Sequence, residues 1–204
     1  MKVKTKTAIV VLAAGEASRM GKPKQLLPWG ETTLLEHTIK TALEVNTDEI
    51  LVVLGAHYNE IKSLIDKYPI QIVFNPDWKS GLGTSISKAI YEIQNGRQEI
   101  HAVLIMLADQ PFISSNDLNL MIKHFRKSEN QIIATIYEGG VKGVPVLFDA
   151  TYFDDLLALN DDYGAKEIIK RYKAFVDFYN NNSNIADLDT PDEYQSAYQN
   201  TFNI

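Results

Sequence analysis

Four apolar segments, each followed by a stretch with helical spacing, constrain the fold of this chain more than any other feature. They cover residues 7–14, 49–55, 70–75 and 102–108 and are rich in Val, Ile and Leu. Such runs are typical of strands buried on both faces of a parallel sheet. Helices are predicted after them at residues 33–45, 59–66, 83–94 and 114–128. This alternation predicts a mostly parallel sheet that is covered by helices on both faces.

The rest of the chain is less regular but contains the same kinds of element. Strands are predicted at residues 131–137, 144–148 and 174–179, and helices at residues 152–159, at residues 165–172 and from Pro191 onward. The chain has 204 residues, of which 45% are hydrophobic, which is enough for one core. No linker, repeat or low-complexity tract divides it. We therefore expect one Rossmann-like α/β domain over residues 1–204, with a mostly parallel central sheet.

Charge and composition argue against several classes of function. The net charge is -6 and the isoelectric point is about 5.2, so neither a nucleic acid nor an anionic membrane is expected as a partner. The absence of Cys excludes disulfides, thiolate metal sites and Cys catalysis. No run approaches the ~20 apolar residues of a membrane span.

The basic N-terminus followed by an apolar run resembles a short signal peptide. We favour a buried first strand instead, because cleavage would destroy the glycine-rich segment that follows. This interpretation, with the absence of Cys, predicts a cytoplasmic protein.

The segment LAAGEASRMGKPKQLLPWG at residues 12–30 is the strongest local signal. Ligands of α/β sheets bind at the carboxyl ends of strands, where the first glycine of this segment stands. Small residues would let backbone N–H groups face an anion, and the positive charge stands out in an acidic chain. The residues that could take part are Gly15, Ser18, Arg19, Gly21, Lys22 and Lys24. A polyphosphate is the natural ligand, and a tight turn without a ligand is an equally open alternative at this point.

Spacing excludes two common phosphate-binding motifs. Five residues separate Gly15 from Gly21, and Pro23 stands where a Walker loop has its hydroxyl residue. The G-x-G-x-x-G turn of a Rossmann oxidoreductase is also missing, so a dinucleotide-dependent enzyme is not favoured.

Further motifs follow in a fixed order along the chain. They are NPDWKSGLGTSI at residues 75–86, ADQPF at 108–112, GVPVLF at 143–148, YGAKEII at 163–169 and DLDTPDEY at 187–194. With the first segment they cover nearly the whole chain and resemble the molybdenum cofactor nucleotidyltransferase family. More widely, they resemble the GT-A-like nucleotidyltransferases, which couple an NTP to a small phosphorylated acceptor. The resemblance implies a sheet of the nucleotide-diphospho-sugar transferase type.

The resemblance also implies where the nucleotide binds. The base and ribose would lie along the first loop, and the glycine- and serine-containing loop before the third helix would contribute. The implied nucleotide-binding residues are Leu12, Ala13, Ala14, Gly15, Ser18, Arg19, Lys24, Gly81 and Ser85. Among these, Arg19 and Lys24 would neutralise the triphosphate as catalytic residues, because charge develops on the leaving pyrophosphate.

The same resemblance implies a metal site built from two aspartates. Asp109 directly follows the fourth apolar strand and would also be catalytic, and DLDTP supplies a second carboxylate, with Asp189 preferred over Asp187. Such oxygen ligands suit Mg²⁺, with Mn²⁺ as an alternative. Asp189 could instead only cap the helix that Pro191 opens.

The LAAG sequence resembles cytidylyl-transferring members more than guanylyl-transferring ones, which carry LAGG. The resemblance therefore implies transfer of CMP from CTP to the molybdenum cofactor, with a molybdenum hydroxylase as the recipient of the product. Val144 departs from the family pattern, because many cytidylyl-transferring members have His there, and this bears on the acceptor. The loop at residues 161–164 could cover that acceptor.

Two alternatives remain open. The enzyme could act on another small phosphate, such as a sugar phosphate or a polyol phosphate. Or the chain could be a non-catalytic accessory protein for the maturation of molybdenum hydroxylases.

Overall fold

The computed structural model describes residues 5–16, 22–137, 140, 142–160, 162–180 and 188–203. The strands are β1 Thr7–Ala13, β2 Pro28–Trp29, β3 Thr32–Thr33, β4 Glu49–Leu54, β5 Gln71–Phe74, β6 Ala102–Leu107, β7 Ile132–Ile136, β8 Lys142–Asp149 and β9 Val176–Asn180. The helices are α1 Leu34–Leu43, α2 Tyr58–Ile65, α3 Leu82–Gln94, α4 Ser115–His124, α5 Phe153–Leu157, α6 Lys166–Arg171 and α7 Pro191–Phe202.

Seven strands form one sheet in the order β5-β4-β1-β6-β8-β7-β9. The strands β5, β4, β1 and β6 are parallel to one another, and β7 is parallel to β9. Only β8 runs against its neighbours β6 and β7 in the described part of this sheet. The prediction of a mostly parallel sheet is therefore confirmed. A short hairpin of β2 and β3, which the sequence did not predict, stands apart from it.

Alternate residues of the central strand face opposite layers of helices. Val10 of β1 packs in a core with α3, α5 and α6, and Val11 packs in a core with α1, α2 and α4. Both side chains are fully buried. This two-sided burial explains why the strand is apolar at every position, and it confirms that helices cover both faces.

Capping boxes begin three helices. Thr33 caps α1: its side chain accepts from the Glu36 backbone N–H, and the Glu36 carboxylate accepts from the Thr33 N–H at 3.1 Å. Glu36 is buried and also accepts from the hydroxyl of Tyr68 and pairs with Lys67 at 2.8 Å. Burial alone would raise the pKa of Glu36, but the hydrogen bonds from Lys67, Thr33 and Tyr68 outweigh it and lower that pKa.

Two helix predictions were too long. The predicted helix at 114–128 ends at His124, because Phe125 takes an extended backbone conformation. The predicted helix at 152–159 is a 3-10 turn, Ala150–Tyr152, followed by α5. No described helix is long and apolar enough to cross a membrane.

A separate aromatic cluster joins the hairpin to the C-terminal helix. The Trp29 ring lies 5.4 Å from Phe202, 6.0 Å from Tyr198 and 5.8 Å from Phe112 between ring centroids. Leu188 is fully buried in the same cluster. Three distant parts of the chain are thus fixed together next to the carboxyl ends of β1 and β6.

Candidate functional site

A cavity of about 440 Å³ lies at the carboxyl ends of β1 and β6. It is lined by Leu12, Ala13, Ala14, Gly15, Lys24, Gln25, Trp78, Lys79, Gly81, Leu82, Ser85, Leu107, Ala108, Asp109 and Asp162. All the nucleotide-binding residues implied by resemblance are therefore at this cavity, except Ser18 and Arg19, which lie outside the described residues. We call it the nucleotide-side cavity.

Lys24 is the centre of charge at this cavity. It opens a 3-10 turn, Lys24–Leu26, directly after Pro23. Its ammonium Nζ lies 3.1 Å from Oδ2 of Asp109 and 2.5 Å from Oδ1 of Asp189. Burial works to lower the pKa of Lys24, but the hydrogen bond to Asp189 and the charge of Asp109 outweigh it, so that pKa is raised. The ammonium is therefore held in its charged form between two carboxylates.

The two aspartates reach this point from different elements. Asp109 follows β6, and its backbone carbonyl accepts from the N–H of Leu188, the residue before Asp189. Asp189 is not the cap of α7, because the side chain of Thr190 accepts the hydrogen bond from Glu193. The helix-cap alternative for Asp189 is thus wrong. Asp187 lies outside the described residues.

The donor set fits a divalent cation. Two carboxylates around one positive charge present the hard oxygen ligands that Mg²⁺ and Mn²⁺ prefer, with phosphate oxygens and waters completing the shell. No group of three or more acidic or His side chains with metal-binding spacing occurs among the described residues. A cation at Asp109 and Asp189 would accordingly depend on a bound ligand for the rest of its coordination.

Gln25 orders the loop after β1, and sequence reasoning missed it. Its side chain is buried, and Nε2 donates to the carbonyls of Ala13 and Gly15, at 2.8 Å each. One amide therefore holds two carbonyls, two residues apart, of the backbone that lines the cavity. A Gln beside charged residues gives no signal of burial, and only its place in the turn after Pro23 could have suggested it.

The opposite wall of the cavity is the loop between β5 and α3, which is held in place by hydrogen bonds from Asn75. Asn75 is buried, and its Nδ2 donates to the hydroxyls of Thr84 and Ser85 at 2.9 Å. The Ser85 hydroxyl is therefore engaged within the protein while the residue lines the cavity. Gly81 begins α3 with a φ of 113°, a conformation that favours glycine.

Trp78 and Lys79 belong to this wall as well. A Cβ on Gly55 would lie 2.5 Å from the Cβ of Trp78 and 2.7 Å from the carbonyl of Ala14, so only glycine allows this close approach. The Lys79 ammonium lies 5.3 Å from the centre of the Trp78 ring. Lys79 brings to the cavity a cation that the motifs did not single out.

His37 and Val144 occupy positions outside this cavity. His37 Nε2 is hydrogen bonded to the carbonyl of Pro111 at 3.0 Å, which ties α1 to the loop after Asp109. Val144 precedes a cis peptide bond to Pro145 and lines a second, larger cavity beside the first.

Comparison with known proteins agrees with this geometry. The family model of the MobA-like NTP transferase domain matches residues 9–175. The molybdenum cofactor cytidylyltransferase of Escherichia coli is 28% identical over 193 residues, with 92% of this chain and 93% of the relative covered. The purine catabolism protein PucB of Bacillus subtilis is 28% identical over 195 residues, with 91% and 92% covered. The nicotine blue oxidoreductase of Paenarthrobacter nicotinovorans is 35% identical over 119 residues, or 56% of this chain and 55% of that protein.

Among solved structures, Rv0371c of Mycobacterium tuberculosis superposes with a TM-score of 0.84 at 26% identity, covering 97% of this chain and 99% of its own. A manganese complex of that protein has a TM-score of 0.79 at 25% identity, covering 96% and 99%. The family model spans most of the chain and matches the elements that build the cavity. The chain therefore belongs to the MobA-like NTP transferase family and is a nucleotidyltransferase.

Proposed function

We propose that this enzyme transfers CMP from CTP to the phosphate of molybdopterin, releases pyrophosphate and forms molybdopterin cytosine dinucleotide. The observation that carries the proposal is the convergence of Lys24, Asp109 and Asp189 at a cavity lined by the loop after β1. The similarity to a molybdenum cofactor cytidylyltransferase over nearly the full length supports the choice of substrates.

The proposed reaction is an in-line displacement without a covalent enzyme intermediate. An oxygen of the acceptor phosphate attacks the α-phosphorus of CTP, the bond to the β-phosphate oxygen breaks, and pyrophosphate leaves. A phosphate monoester is already anionic near pH 7, so no side chain must activate it. The chain's task is to position the two substrates and to neutralise charge.

Lys24 and the two aspartates divide that task. A divalent cation bound by Asp109 and Asp189 would neutralise the triphosphate and the departing pyrophosphate. Lys24, once released from the carboxylates, would contact the triphosphate as a second fixed charge. Arg19, which lies outside the described residues, is proposed to join it there with its planar, bidentate guanidinium.

The base is proposed to lie against the backbone of Ala13, Ala14 and Gly15. The amide of Gln25 holds two of their carbonyls in place, so the edge presented to the base is rigid before ligand binds. Guanylyl-transferring members resemble LAGG and so have glycine at the position of Ala14. Alanine there restricts the backbone conformation and the space beside the base. This supports CTP over GTP.

A thermal-shift series with CTP, GTP, ATP and UTP in the presence of Mg²⁺ or Mn²⁺ tests nucleotide choice. We expect CTP to raise the melting temperature most, because in our proposal it binds the folded protein most tightly. A ligand at about 100 times its Kd stabilises the folded state by about 2.7 kcal/mol. A larger shift with GTP would contradict the assignment of CTP.

Pyrophosphate release with CTP and molybdopterin tests the reaction. Asp109→Asn should abolish metal-dependent release and Asp189→Asn should reduce it strongly. Asp192→Asn, an exposed carboxylate on the first turn of α7, is the matched control and should keep normal turnover. Near-normal turnover of Asp109→Asn would refute the metal assignment.

A non-catalytic accessory role is the second candidate, because PucB, named for purine catabolism, is as similar to this chain as the cytidylyltransferase is. CTP binding without pyrophosphate release, with molybdopterin and Mg²⁺ present, would favour it.

In our proposal residues 1–204 act as one domain in the cytoplasm and the product passes to a molybdenum hydroxylase. Co-purification of that hydroxylase with the enzyme would test this setting.

A further inference from the structure

The second cavity has a volume of about 690 Å³ and shares Leu12, Leu82 and Leu107 with the nucleotide-side cavity. Its floor is the face of the sheet formed by β6, β8, β7 and β9. Ala134 pairs with Val146 on one side and with Phe178 on the other, so these three side chains lie in a row across that face. The floor is continuous and apolar from the centre of the sheet to its edge.

This cavity leaves large apolar side chains open to solvent. Leu82 is 39% exposed, Tyr163 is 67% exposed and Phe178 is 42% exposed, and all three line the cavity. Exposed apolar surface of this kind, when it is contiguous, marks a place where a ligand or partner binds. Gln110, next to Asp109, also lines the cavity, so the cavity extends to the proposed reaction centre.

Four lysines surround the apolar floor. Lys142 comes from β8, with its ammonium 4.5 Å from the centre of the Phe178 ring, and Lys166, Lys170 and Lys173 come from α6 and the turn after it. Lys166 and Lys170 are four residues apart in α6 and therefore lie on one face of that helix, and Lys173 follows in the 3-10 turn Lys173–Phe175. None of the four forms an ion pair with any other described residue.

This local positive charge contrasts with the chain as a whole, which has 26 acidic and 20 basic residues. Clustered cations around a concave, weakly polar surface raise the local concentration of anions. Apart from the lysines, the polar side chains in the lining are those of Gln110, Tyr137 and Tyr163, and the hydroxyl of Tyr137 already donates to the carbonyl of Val144. Each ligand hydroxyl buried without a partner would cost free energy, so a sugar or polyol phosphate fits this cavity poorly.

We propose that this lysine-rimmed cavity binds an organic anion with an apolar or aromatic body and with negative charge besides the phosphate that reacts. The lysines of α6 and Lys142 hold that additional charge. The occupant is the acceptor of the nucleotidyl group, a step that rests on the proposed function. The anion site itself rests only on the lining and charge of the cavity.

The first test uses 8-anilinonaphthalene-1-sulfonate, an aromatic anion, with the full chain and no nucleotide. Its fluorescence titration gives a Kd for wild type and for Lys166→Gln/Lys170→Gln. Since one exposed ion pair changes affinity by about two- to five-fold, the double variant should bind about ten-fold more weakly. The matched control is Lys40→Gln/Lys123→Gln, which removes the same charge from α1 and α4 on the other face of the sheet and should leave the Kd unchanged.

A second pair of variants tests the apolar wall. Tyr163→Ser should weaken probe binding several-fold. Tyr91→Ser, which is 51% exposed on α3 and does not line the cavity, should not. Both positions are exposed, so folding is retained. Equal effects of the two lysine doubles, or no effect of Tyr163→Ser, would overturn the anion site.

Turnover then identifies the occupant. The Lys166→Gln/Lys170→Gln variant should raise the KM for the acceptor and leave the KM for CTP unchanged. An unchanged acceptor KM would overturn the assignment of the acceptor to this cavity. If no acceptor supports pyrophosphate release while the probe results hold, the proposed function fails and the anion site stands.

Discussion

Replacing Lys24 by Met should make the protein bind Mn²⁺ more tightly when no nucleotide is present. The Lys24 ammonium lies within hydrogen-bond distance of both Asp109 and Asp189, so it occupies the position that a cation between these carboxylates would take. A metal ion must displace it. In Lys24→Met the competitor is gone and the two carboxylates lose the positive charge that Lys24 places between them.

The magnitude follows from the distances. The two carboxylate oxygens cannot be farther apart than the sum of 3.1 and 2.5 Å, since both contact one nitrogen. Two like charges about 5 Å apart repel by about 3 kcal/mol at an effective dielectric constant of about 20. The Asp189 side chain is 55% exposed, so we reduce this to about 1.5 to 3 kcal/mol. Relief of that repulsion corresponds to about ten- to one-hundred-fold tighter Mn²⁺ binding.

Electron paramagnetic resonance of free Mn²⁺ during titration measures this affinity directly. Lys24→Arg keeps the positive charge and is the matched control, with an affinity close to that of wild type. Lys24→Met/Asp109→Asn should lose the gain, because one of the two ligands is gone. Equal or weaker Mn²⁺ binding by Lys24→Met would refute the inference that the metal and the ammonium share one position. With CTP added, the sign should reverse, because Lys24 is then needed at the triphosphate.

Three further predictions concern stability and are measured by thermal or urea unfolding. Gly55→Ala should destabilise by about 1 to 3 kcal/mol and weaken CTP binding, because its Cβ would collide with Trp78; an unchanged melting temperature would contradict the close approach. Glu36→Gln should be about 1 to 3 kcal/mol less stable than wild type at pH 7. Since the folded-state pKa of Glu36 is lowered, wild type loses this advantage as pH falls below the ordinary carboxyl pKa, and a gap that persists in acid would count against it. Burial and a hydrogen bond to Asp117 raise the pKa of Tyr179 to about 12, so wild type should lose more stability than Tyr179→Phe between about pH 10 and 12. The pKa values of Tyr68, Tyr152 and Tyr194 are also raised, so the variant keeps their share of the loss, and equal losses in the two proteins would contradict the prediction.

The fold was predictable to the extent that burial leaves a pattern in the sequence. Strands covered on both faces must be apolar at every position, which is why β1 and β6 stood out and why a parallel sheet followed. The reversed direction of β8 left no comparable mark, because a strand between two others is equally apolar in either direction. The length of α4 was misjudged because Phe125 is apolar at helical spacing, yet it is buried from an extended backbone conformation.

At the site, residue types were more predictable than their supports. Burying a charge is costly, so a charged residue at the end of an apolar segment, such as Asp109 after residues 102–108, is recognisable in the sequence as a candidate site residue. Gln25 and the close approach at Gly55 act through hydrogen bonds and contacts to backbone, and such roles depend on tertiary geometry that a single sequence does not encode locally. The sequence pointed toward the lysine-rimmed cavity only by linking Val144 and residues 161–164 to the acceptor. The cavity itself could not be predicted, because its walls come from β8, β9 and α6, which are distant in the sequence.

The convergence of the charged residues is itself a product of packing. Lys24 and Asp189 are 165 residues apart, and their ion pair alone, partly exposed, is too weak to bring the two segments together. The hydrophobic cluster around Trp29 stabilises this arrangement. It contains Phe112, which follows Asp109 in the chain by three residues, and Leu188, which directly precedes Asp189. Large aromatic rings bury much apolar surface and restrict one another's orientation, so the cluster holds the backbone on which the charges stand. The electrostatic site is therefore fixed by an apolar one, and loss of the Trp29 ring should disperse the carboxylates before it unfolds the sheet.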